Sequence, residues 1–431
     1  METENQINES EKNEEPNKKF VKFSFLIFGI AGLLAWNTIL SAMDFFSACI
    51  TSYDPSFIFP FFNFALNIVF QFILIFRKQL FTYKNQLIFS LVFSGILLIV
   101  LPLSVSALKD KQTINAVLTS IMILFQGLLN AVCQSSFFGL VSFFPIDIIV
   151  VMSSGQGIVG ILMNVIQYIL TFIFQENENY NTQAIIFFSI AFLIIVISLI
   201  FLFLVYKNDY FKKQLILTEE YNKNTSDSIN TLVTAELKEE EDNNNTNKEI
   251  SFLELTKLLL DLNILTVVLY IITFSVFPGV CLGFRLYNLD KFKTITIITI
   301  YNVSDTLGRM LVSSFNPTKT ITYIVILSRI SLLIIMPIDF YYQNNSNLFI
   351  TSTIFALCVI YCGITNGIGT SLVFALAPSL VPDHIKGRAG SSISFYLIVG
   401  IFLGTLGGMG MGEIIKIIQK KKVNKFNIFD Y

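Results

Sequence analysis

The chain has 431 residues, of which 54% are hydrophobic and 14% are charged, and its formal net charge is −1. Soluble proteins average roughly 45–50% apolar and about 25% charged residues, so this composition excludes a soluble enzyme and a disordered scaffold. The near-zero net charge also excludes a basic protein that attracts nucleic acid through phosphate contacts. Because one membrane-spanning helix needs about 20 apolar residues, the composition indicates a polytopic membrane protein with about ten or eleven spans.

Apolar segments long enough to cross a bilayer occur in two groups, separated by one polar stretch. Six precede the stretch, at 23–43, 57–76, 86–106, 113–141, 148–173 and 183–206. Five follow it, at 256–281, 294–314, 320–340, 348–376 and 389–412. We therefore predict an all-α integral membrane protein with about 11 transmembrane helices in a 6+5 arrangement.

The remaining segments complete the predicted domain organisation. Residues 1–22 are polar, lack the apolar core of a cleaved signal peptide, and are predicted to be a disordered cytoplasmic N-terminus. Residues 207–250 are rich in Asn and Glu and are predicted to be a disordered cytoplasmic linker. The linker separates helices 1–6, within 23–206, from helices 7–11, within 251–412, and residues 413–431 form a short C-terminal tail. Such a division is typical of transporters whose two bundles rock about a site near the membrane midplane.

Lysines and arginines near the span ends predict the orientation of the first half. Nine lie on the side of the N-terminus and linker, against Lys109 and Lys111 on the other side, which places the N-terminus and linker in the cytoplasm. In the second half the charges disagree with eleven spans, because the lysine-rich tail then lies outside. An even number of spans would resolve that disagreement.

A charged pair lies inside the eighth apolar segment, where Asp305 and Arg309 are spaced by four residues. This spacing puts both side chains on one face of a helix. Charges inside a membrane span are costly and usually functional. Carboxylate acceptors beside guanidinium donors suit a sugar with vicinal hydroxyls. The alternative is an ion pair that holds two helices together.

Three further polar or aromatic residues lie inside predicted spans. Trp36, the only Trp, lies near the middle of the first span and offers either a stacking surface for a planar heterocycle or a packed core ring. Gln134 in the fourth span can bond the edge of a nucleobase or join two helices. Arg329 in the ninth span has no obvious local partner, and we expect a structural role in which a distant carboxylate or a backbone carbonyl satisfies it.

Other constellations argue against catalysis and cofactors. With five Cys and one His, the chain lacks a zinc-site pattern and any Ser/His/Asp or Cys/His arrangement. Gly155 to Gly160 matches G-x-G-x-x-G, but no strand precedes it and it opens an apolar span. We therefore expect no enzymatic activity, no metal and no cofactor.

Several motifs in chain order resemble the equilibrative nucleoside transporter family. They are Leu33-Leu34-Ala35-Trp36-Asn37, Gln134 to Leu140 with Met152 to Gly157, Phe277-Pro278, Asn302 to Arg309, and Asn366-Gly367 with the glycines that follow. The resemblance covers nearly the whole membrane part and implies a fold akin to major facilitator proteins. It also implies that Leu33, Trp36 and Leu40 border the base, that Gln134 bonds it, and that Asp305 and Arg309 hold the ribose hydroxyls.

Departures from the family pattern concern base preference rather than class. Ala35 stands where many members have Pro, Asn130 where mammalian members have Gly, and Thr306 where Trp is common. A composition rich in Phe, Ile and Asn is typical of an AT-rich genome such as that of a protist, and because such organisms often salvage purines, purine salvage is the expected role.

The predicted function is alternating-access transport of nucleosides, with nucleobases as a second substrate class. Facilitative movement is favoured over proton coupling, because Asp305 is the only deep acid and Arg309 beside it should keep it ionised. The alternatives are a proton-coupled transporter, a major facilitator for another polar solute such as a sugar, and a non-transporting receptor or enzyme. The expected partners are a nucleoside and the lipid bilayer, with no nucleic acid or obligate protein partner, and the expected location is the plasma membrane.

Overall fold

The computed structural model describes residues 2–76, 82–141, 143–174, 180–216, 252–284, 286–287, 292–314, 318–342, 347–381 and 386–426. Within these ranges all regular structure is helical, which confirms the predicted all-α class. The helices of the first half are α1 (Glu2–Ser41), α2 (Met43–Cys49), α3 (Pro55–Phe76), α4 (Tyr83–Ala107), α5 (Gln112–Val141), α6 (Ile146–Ile173) and α7 (Tyr180–Val205). Those of the second half are α8 (Phe252–Leu258), α9 (Leu260–Val276), α10 (Gly279–Gly283), α11 (Lys293–Leu311), α12 (Lys319–Ser328), α13 (Leu332–Tyr342), α14 (Leu348–Ser379) and α15 (Lys386–Phe426).

Ten helical segments in the described ranges are long and apolar enough to cross a membrane, and they match ten of the eleven predicted spans. The predicted eighth span corresponds to α11, a helix of 19 residues that is not among these ten. Because α11 carries the charged pair Asp305 and Arg309, its apolar character is the weakest of the predicted spans. The count of eleven therefore stays a prediction.

Three predicted boundaries differ from the observed ones. Helix α1 includes residues assigned to a disordered N-terminus, and Val21 is fully buried there because it packs into the core of the first half. The linker predicted from 207 begins with a helical stretch at 209–216 whose Phe211 is also fully buried. Helix α15 continues to Phe426, beyond the predicted start of the tail at 413. The rest of the predicted linker, 217–250, lies outside the described residues.

The helices pack as two groups that meet along two seams. Within the first half α1 packs on α6 and α3 on α5, and within the second half α9 packs on α15 and α11 on α14. Across the halves, α3 packs on α15 and α6 packs on α11. Large apolar side chains such as Phe172, Leu193 and Leu357 are exposed, as expected for surfaces that face lipid rather than water. The polar residues in the interior therefore mark the places where function is expected.

Candidate functional site

Asp305 and Arg309 form a direct ion pair on α11. The Nε atom of Arg309 donates to Oδ2 of Asp305 at 2.8 Å, and the two side chains are only 11% and 10% exposed, respectively for Asp305 and Arg309. Among the described residues, the terminal nitrogens Nη1 and Nη2 of Arg309 have no hydrogen-bond acceptor. Each carboxylate oxygen can also accept a second hydrogen bond. The pair therefore offers both free donors and free acceptors at one buried place.

Asn366 on α14 binds the other oxygen of the same carboxylate. Its Nδ2 donates to Oδ1 of Asp305 at 2.7 Å. The helices α11 and α14 can approach this closely because glycines line their contact. A Cβ atom at Gly367 would overlap the backbone carbonyl of Asp305, and one at Gly308 would overlap that of Ile364. Small residues at such positions are a recurrent device for close helix packing in membranes.

A second buried guanidinium, that of Arg329, is connected to Asn366 by hydrogen bonds through Thr273. Arg329 is 0% exposed and forms part of the 3-10 turn Arg329–Ser331 between α12 and α13. Its Nη1 donates to the carbonyl oxygen of Cys362 at 2.8 Å and to Oγ1 of Thr365 at 2.5 Å. Its Nη2 donates to Oγ1 of Thr273 at 2.5 Å, and Thr273 in turn donates to Oδ1 of Asn366 at 2.9 Å. Hydrogen bonds thus connect Arg329 to the amide that holds Asp305.

The three residues predicted on α1 share one face of that helix. Leu33, Trp36 and Leu40 follow each other at intervals of three and four residues, which places them on one stripe. Trp36 is 8% exposed, and its ring meets Phe64 of α3 edge-on at 5.3 Å between centroids. Phe64 in turn meets Phe274 of α9 at 5.5 Å. Aromatic contacts therefore lead from α1 into the second half of the protein.

Gln134 lies on α5 and is 8% exposed. Its side chain makes no hydrogen bond with any described residue, whereas Asn130, one turn earlier, bonds both Gln126 and Asn63. Asn130 accepts from Gln126 at 3.1 Å and donates to Asn63 at 3.3 Å. A buried amide without a protein partner carries unused hydrogen-bonding capacity. Gln134 therefore differs from Asn130, which is committed to joining α3 and α5.

The ion pair lies where the two halves meet. A Cβ atom at Gly157 on α6 would lie 3.0 Å from Thr306 Oγ1 and 3.4 Å from Arg309 Cδ. Two further contacts join the halves. Phe138 of α5 stacks on Phe374 of α14, with 5.2 Å between ring centroids, and Thr294 at the start of α11 donates to Asp44 at 2.7 Å. The candidate site is therefore enclosed between two contacts that join the halves.

Asp44 follows α1 outside the membrane span, and its pKa reflects this contact. Asp44 keeps an exposed surface, but the protein packed around its carboxyl removes part of its hydration and raises its pKa above the usual range, while the hydrogen bond from Thr294 and the nearby Lys293 lower it. At the same end, Tyr168 of α6 and Thr296 of α11 are hydrogen-bonded at 2.6 Å. This end of the seam is therefore closed by polar contacts.

A cleft of about 480 Å³ opens beside these contacts and does not include any of the predicted site residues. It is lined by Tyr168, Ile169, Phe172, Ile173, Phe292 and Thr296. The two polar members bond each other, and Phe172 and Ile173 are among the most exposed apolar side chains. The cleft therefore suits lipid rather than a polar solute.

The structure brings together two of the six predicted site residues directly. Asp305 and Arg309 are bonded, whereas Trp36 and Gln134 lie on α1 and α5 without a hydrogen bond or ring contact to the pair. Asn366 is missing from the predicted partners of Asp305, and Thr273 from those of Arg329, since each is distant in sequence from the residue that it bonds. Arg329 is expected to bond a carboxylate or a backbone carbonyl, and a carbonyl is one of its acceptors.

Comparison with known sequences shows which family of proteins the chain resembles. A family model described as "Nucleoside transporter" matches residues 120–408, more than half of the chain. "Equilibrative nucleotide transporter 7" of Arabidopsis thaliana is 25% identical over 415 residues, covering 90% of this chain and 94% of its own length. "Equilibrative nucleotide transporter 3" of the same organism is 25% identical over 418 residues, covering 91% and 95%. The matches confirm the resemblance noted from the motifs and the prediction of a transporter rather than an enzyme.

Comparison with solved structures identifies the fold. A mutant form of the nucleoside transporter NupG superposes with a TM-score of 0.55 at 12% identity over 91% of each chain. The inward-open xylose transporter XylE of E. coli superposes with a TM-score of 0.57 at 14% identity, over 90% of this chain and 88% of its own. At such identities the likeness concerns the fold alone, and it confirms the predicted major-facilitator-like architecture.

Proposed function

Because the chain belongs to the nucleoside transporter family, we propose that it moves nucleosides across a membrane by facilitative alternating access. The observation that carries the proposal is the buried Asp305–Arg309 pair at the seam between the halves. A site that is shared by two bundles can be exposed to either side when one bundle rocks against the other.

The ion pair is assigned to the ribose. The free Nη1 and Nη2 donors of Arg309 suit the oxygens of the sugar, and the carboxylate of Asp305 accepts from its hydroxyls. Vicinal hydroxyls both donate and accept, so they match this mixture better than an apolar or purely anionic solute does. A substrate that lacks one hydroxyl would leave a buried group unpaired, which is a strong basis for rejection.

The base is assigned to the first half. Trp36, with Leu33 and Leu40 on the same stripe of α1, supplies an apolar and aromatic surface for a planar heterocycle. The amide of Gln134 both donates and accepts, and it has no partner among the described residues. With the ribose on α11 and the base near α1 and α5, one substrate would contact both halves.

Facilitative movement is the proposed mode, and the names of the Arabidopsis thaliana relatives, which are called equilibrative transporters, support it. Both carboxylate oxygens of Asp305 accept hydrogen bonds, one from a guanidinium and one from an amide, so this carboxylate is engaged as a hydrogen-bond acceptor. The plasma membrane is the proposed location.

Uptake of labelled adenosine, uridine, hypoxanthine and glucose in cells that lack nucleoside transport tests the proposal. We expect saturable nucleoside uptake that a protonophore leaves unchanged. Accumulation driven by a proton gradient would refute the facilitative mode, and uptake of glucose without nucleoside would refute the substrate class. Surface labelling in each assay shows that the protein is present.

A further inference from the structure

Arg329 is a fully buried cation whose contacts are unusual. It is 0% exposed, yet the acceptors that the described residues give it are neutral: two hydroxyls, a carbonyl and the sulfur of Cys362. A buried charge is costly unless a counter-charge offsets it, and intramembrane cations are rarely kept without a role. The nearest carboxylate that its hydrogen bonds reach is that of Asp305, two groups away.

We propose that Arg329 is a positioning residue for the substrate site, acting through Thr273 and Asn366 on the carboxylate of Asp305. The inference rests on the proposed function, since it assumes that Asp305 binds substrate. It concerns the orientation of hydrogen bonds rather than any contact between Arg329 and the substrate.

The connecting hydrogen bonds all run in one direction. Arg329 Nη2 donates to Thr273 Oγ1 at 2.5 Å, Thr273 donates to Asn366 Oδ1 at 2.9 Å, and Asn366 Nδ2 donates to Asp305 Oδ1 at 2.7 Å. The chain begins at a cation and ends at an anion. Hydrogen bonds aligned in this way polarise and strengthen one another in a low-dielectric interior. We name these four residues the relay.

The relay decides which way the amide of Asn366 faces. A guanidinium donates but cannot accept, so the Thr273 oxygen must accept from it. The hydroxyl proton of Thr273 then has two acceptors in reach, Asn366 Oδ1 at 2.9 Å and the carbonyl of Leu269 at 2.8 Å. Polarisation by Arg329 strengthens the donation to Asn366, which turns the amide oxygen toward Thr273 and the amide nitrogen toward Asp305. Without it, only the carboxylate of Asp305 would orient the amide, and the amide nitrogen would be held against that carboxylate less firmly.

The relay also shapes the charge of the site. Arg309 binds one oxygen of Asp305 directly, and Arg329 acts on the other through the relay. The carboxylate is thereby held between two cations, with one orientation available for the ribose hydroxyls. Loss of either cation should loosen that orientation, but only loss of Arg309 removes a direct substrate donor.

The test measures KM and Vmax for uridine and for 2′,3′-dideoxyuridine in the full-length protein. The variants are Arg329→Gln and Thr273→Val. The second removes the hydroxyl between Arg329 and Asn366, so it interrupts the relay even if Arg329→Gln folds poorly. Ser328→Ala is the matched control, because Ser328 adjoins Arg329 but bonds Tyr361 instead, at 2.6 Å. Surface labelling corrects Vmax for the amount of protein.

We expect both relay variants to raise the KM for uridine about tenfold, as for the loss of one charge-assisted hydrogen bond. The KM for the dideoxy analogue should change much less, since this analogue lacks the hydroxyls that donate hydrogen bonds to the carboxylate of Asp305. The control should leave both KM values unchanged. An equal rise for both nucleosides in both variants, or a fall in Vmax alone, would contradict the positioning role and leave Arg329 as a packing residue.

A substrate-independent measurement separates this proposal from the proposed function. If the relay exists, the shifts in melting temperature caused by Arg329→Gln and Asp305→Asn are coupled, and the double variant shows less than their sum. Additive shifts would overturn the relay even in a protein that transports nucleosides. Coupled shifts in a protein that moves no nucleoside would support the relay and refute the proposed function.

Discussion

Separating the structural role of the ion pair from its role in transport requires three variants, Asp305→Asn, Arg309→Met and the double variant. Each single change leaves one charge of a nearly dry pair without its partner, the side chains being 11% exposed for Asp305 and 10% for Arg309. Removing one partner of a buried pair costs about 3–5 kcal/mol, whereas replacing both partners by uncharged groups of similar size is often close to neutral. We therefore expect the single variants to be strongly destabilised and the double variant to regain most of the lost stability.

The assays are thermal unfolding of the detergent-purified protein and uridine uptake corrected for surface amount. An exposed ion pair in the same half provides the control: Lys319 and Asp261 lie 3.5 Å apart, with side chains 47% and 56% exposed. Because exposed pairs contribute about 0–1 kcal/mol, Asp261→Asn should barely change the melting temperature.

The uptake results distinguish binding from packing. The double variant should be present at the surface but should transport no uridine, because the donors and acceptors for ribose are gone. Uridine transport by the double variant would show that the pair only holds helices together. A double variant no more stable than either single variant would refute the reasoning about the buried charges.

Further predictions concern the packing, the base and the closed end of the seam. Gly367→Ala should abolish uptake, because the added methyl group overlaps the carbonyl oxygen of Asp305. Gly410→Ala is the control and should be tolerated, because the space around Gly410 is open. Equal uptake by both variants would contradict the close approach of α11 and α14. Gln134→Leu should raise the KM for adenosine about tenfold, as for one lost hydrogen bond, with little change in surface amount, and an unchanged KM would remove Gln134 from the site. Because partial desolvation raises the pKa of Asp44 in this conformation, its proton binds more tightly here than when Asp44 is fully hydrated. Lowering the pH through that raised pKa should therefore stabilise this conformation as a whole and slow uptake, even though protonation weakens the hydrogen bond from Thr294. Asp44→Asn should flatten the pH profile, and an equally steep profile in the variant would exclude Asp44.

Composition and hydropathy predict the class of fold well, because a lipid environment requires long apolar helices. Ten of the predicted spans match helices with the apolar character of a membrane span, and the difficult case is α11. It is less apolar because it carries Asp305 and Arg309, so the residues that give the site its chemistry also weaken the signal for the helix. At the N-terminus, Lys18 and Lys22 favour a solvated tail, and the predicted span therefore begins later than the helix does. Both lysines approach Asp147, at 3.6 and 3.3 Å, while the apolar residues beside them pack inward.

The partners of the site residues are harder to predict than the residues themselves. The i, i+4 spacing is enough to place Asp305 against Arg309, since that contact is local. The bond from Asn366 spans 61 residues and that from Arg329 to Thr273 spans 56, so they depend on how α9, α11 and α14 pack. The glycines of α11 and α14 are the sequence signal that points to this close packing.

Uptake of labelled uridine should be measured in cells that lack their own nucleoside transport, with wild type and Arg309→Ala compared at equal surface amounts, because it shows whether the protein moves nucleosides through the Asp305–Arg309 site. We predict saturable uptake by the wild type, insensitive to a protonophore, and its loss in the variant. Wild-type protein that reaches the surface without moving uridine or adenosine would contradict nucleoside transport, and an Arg309→Ala variant that transports normally would contradict the ribose site on α11.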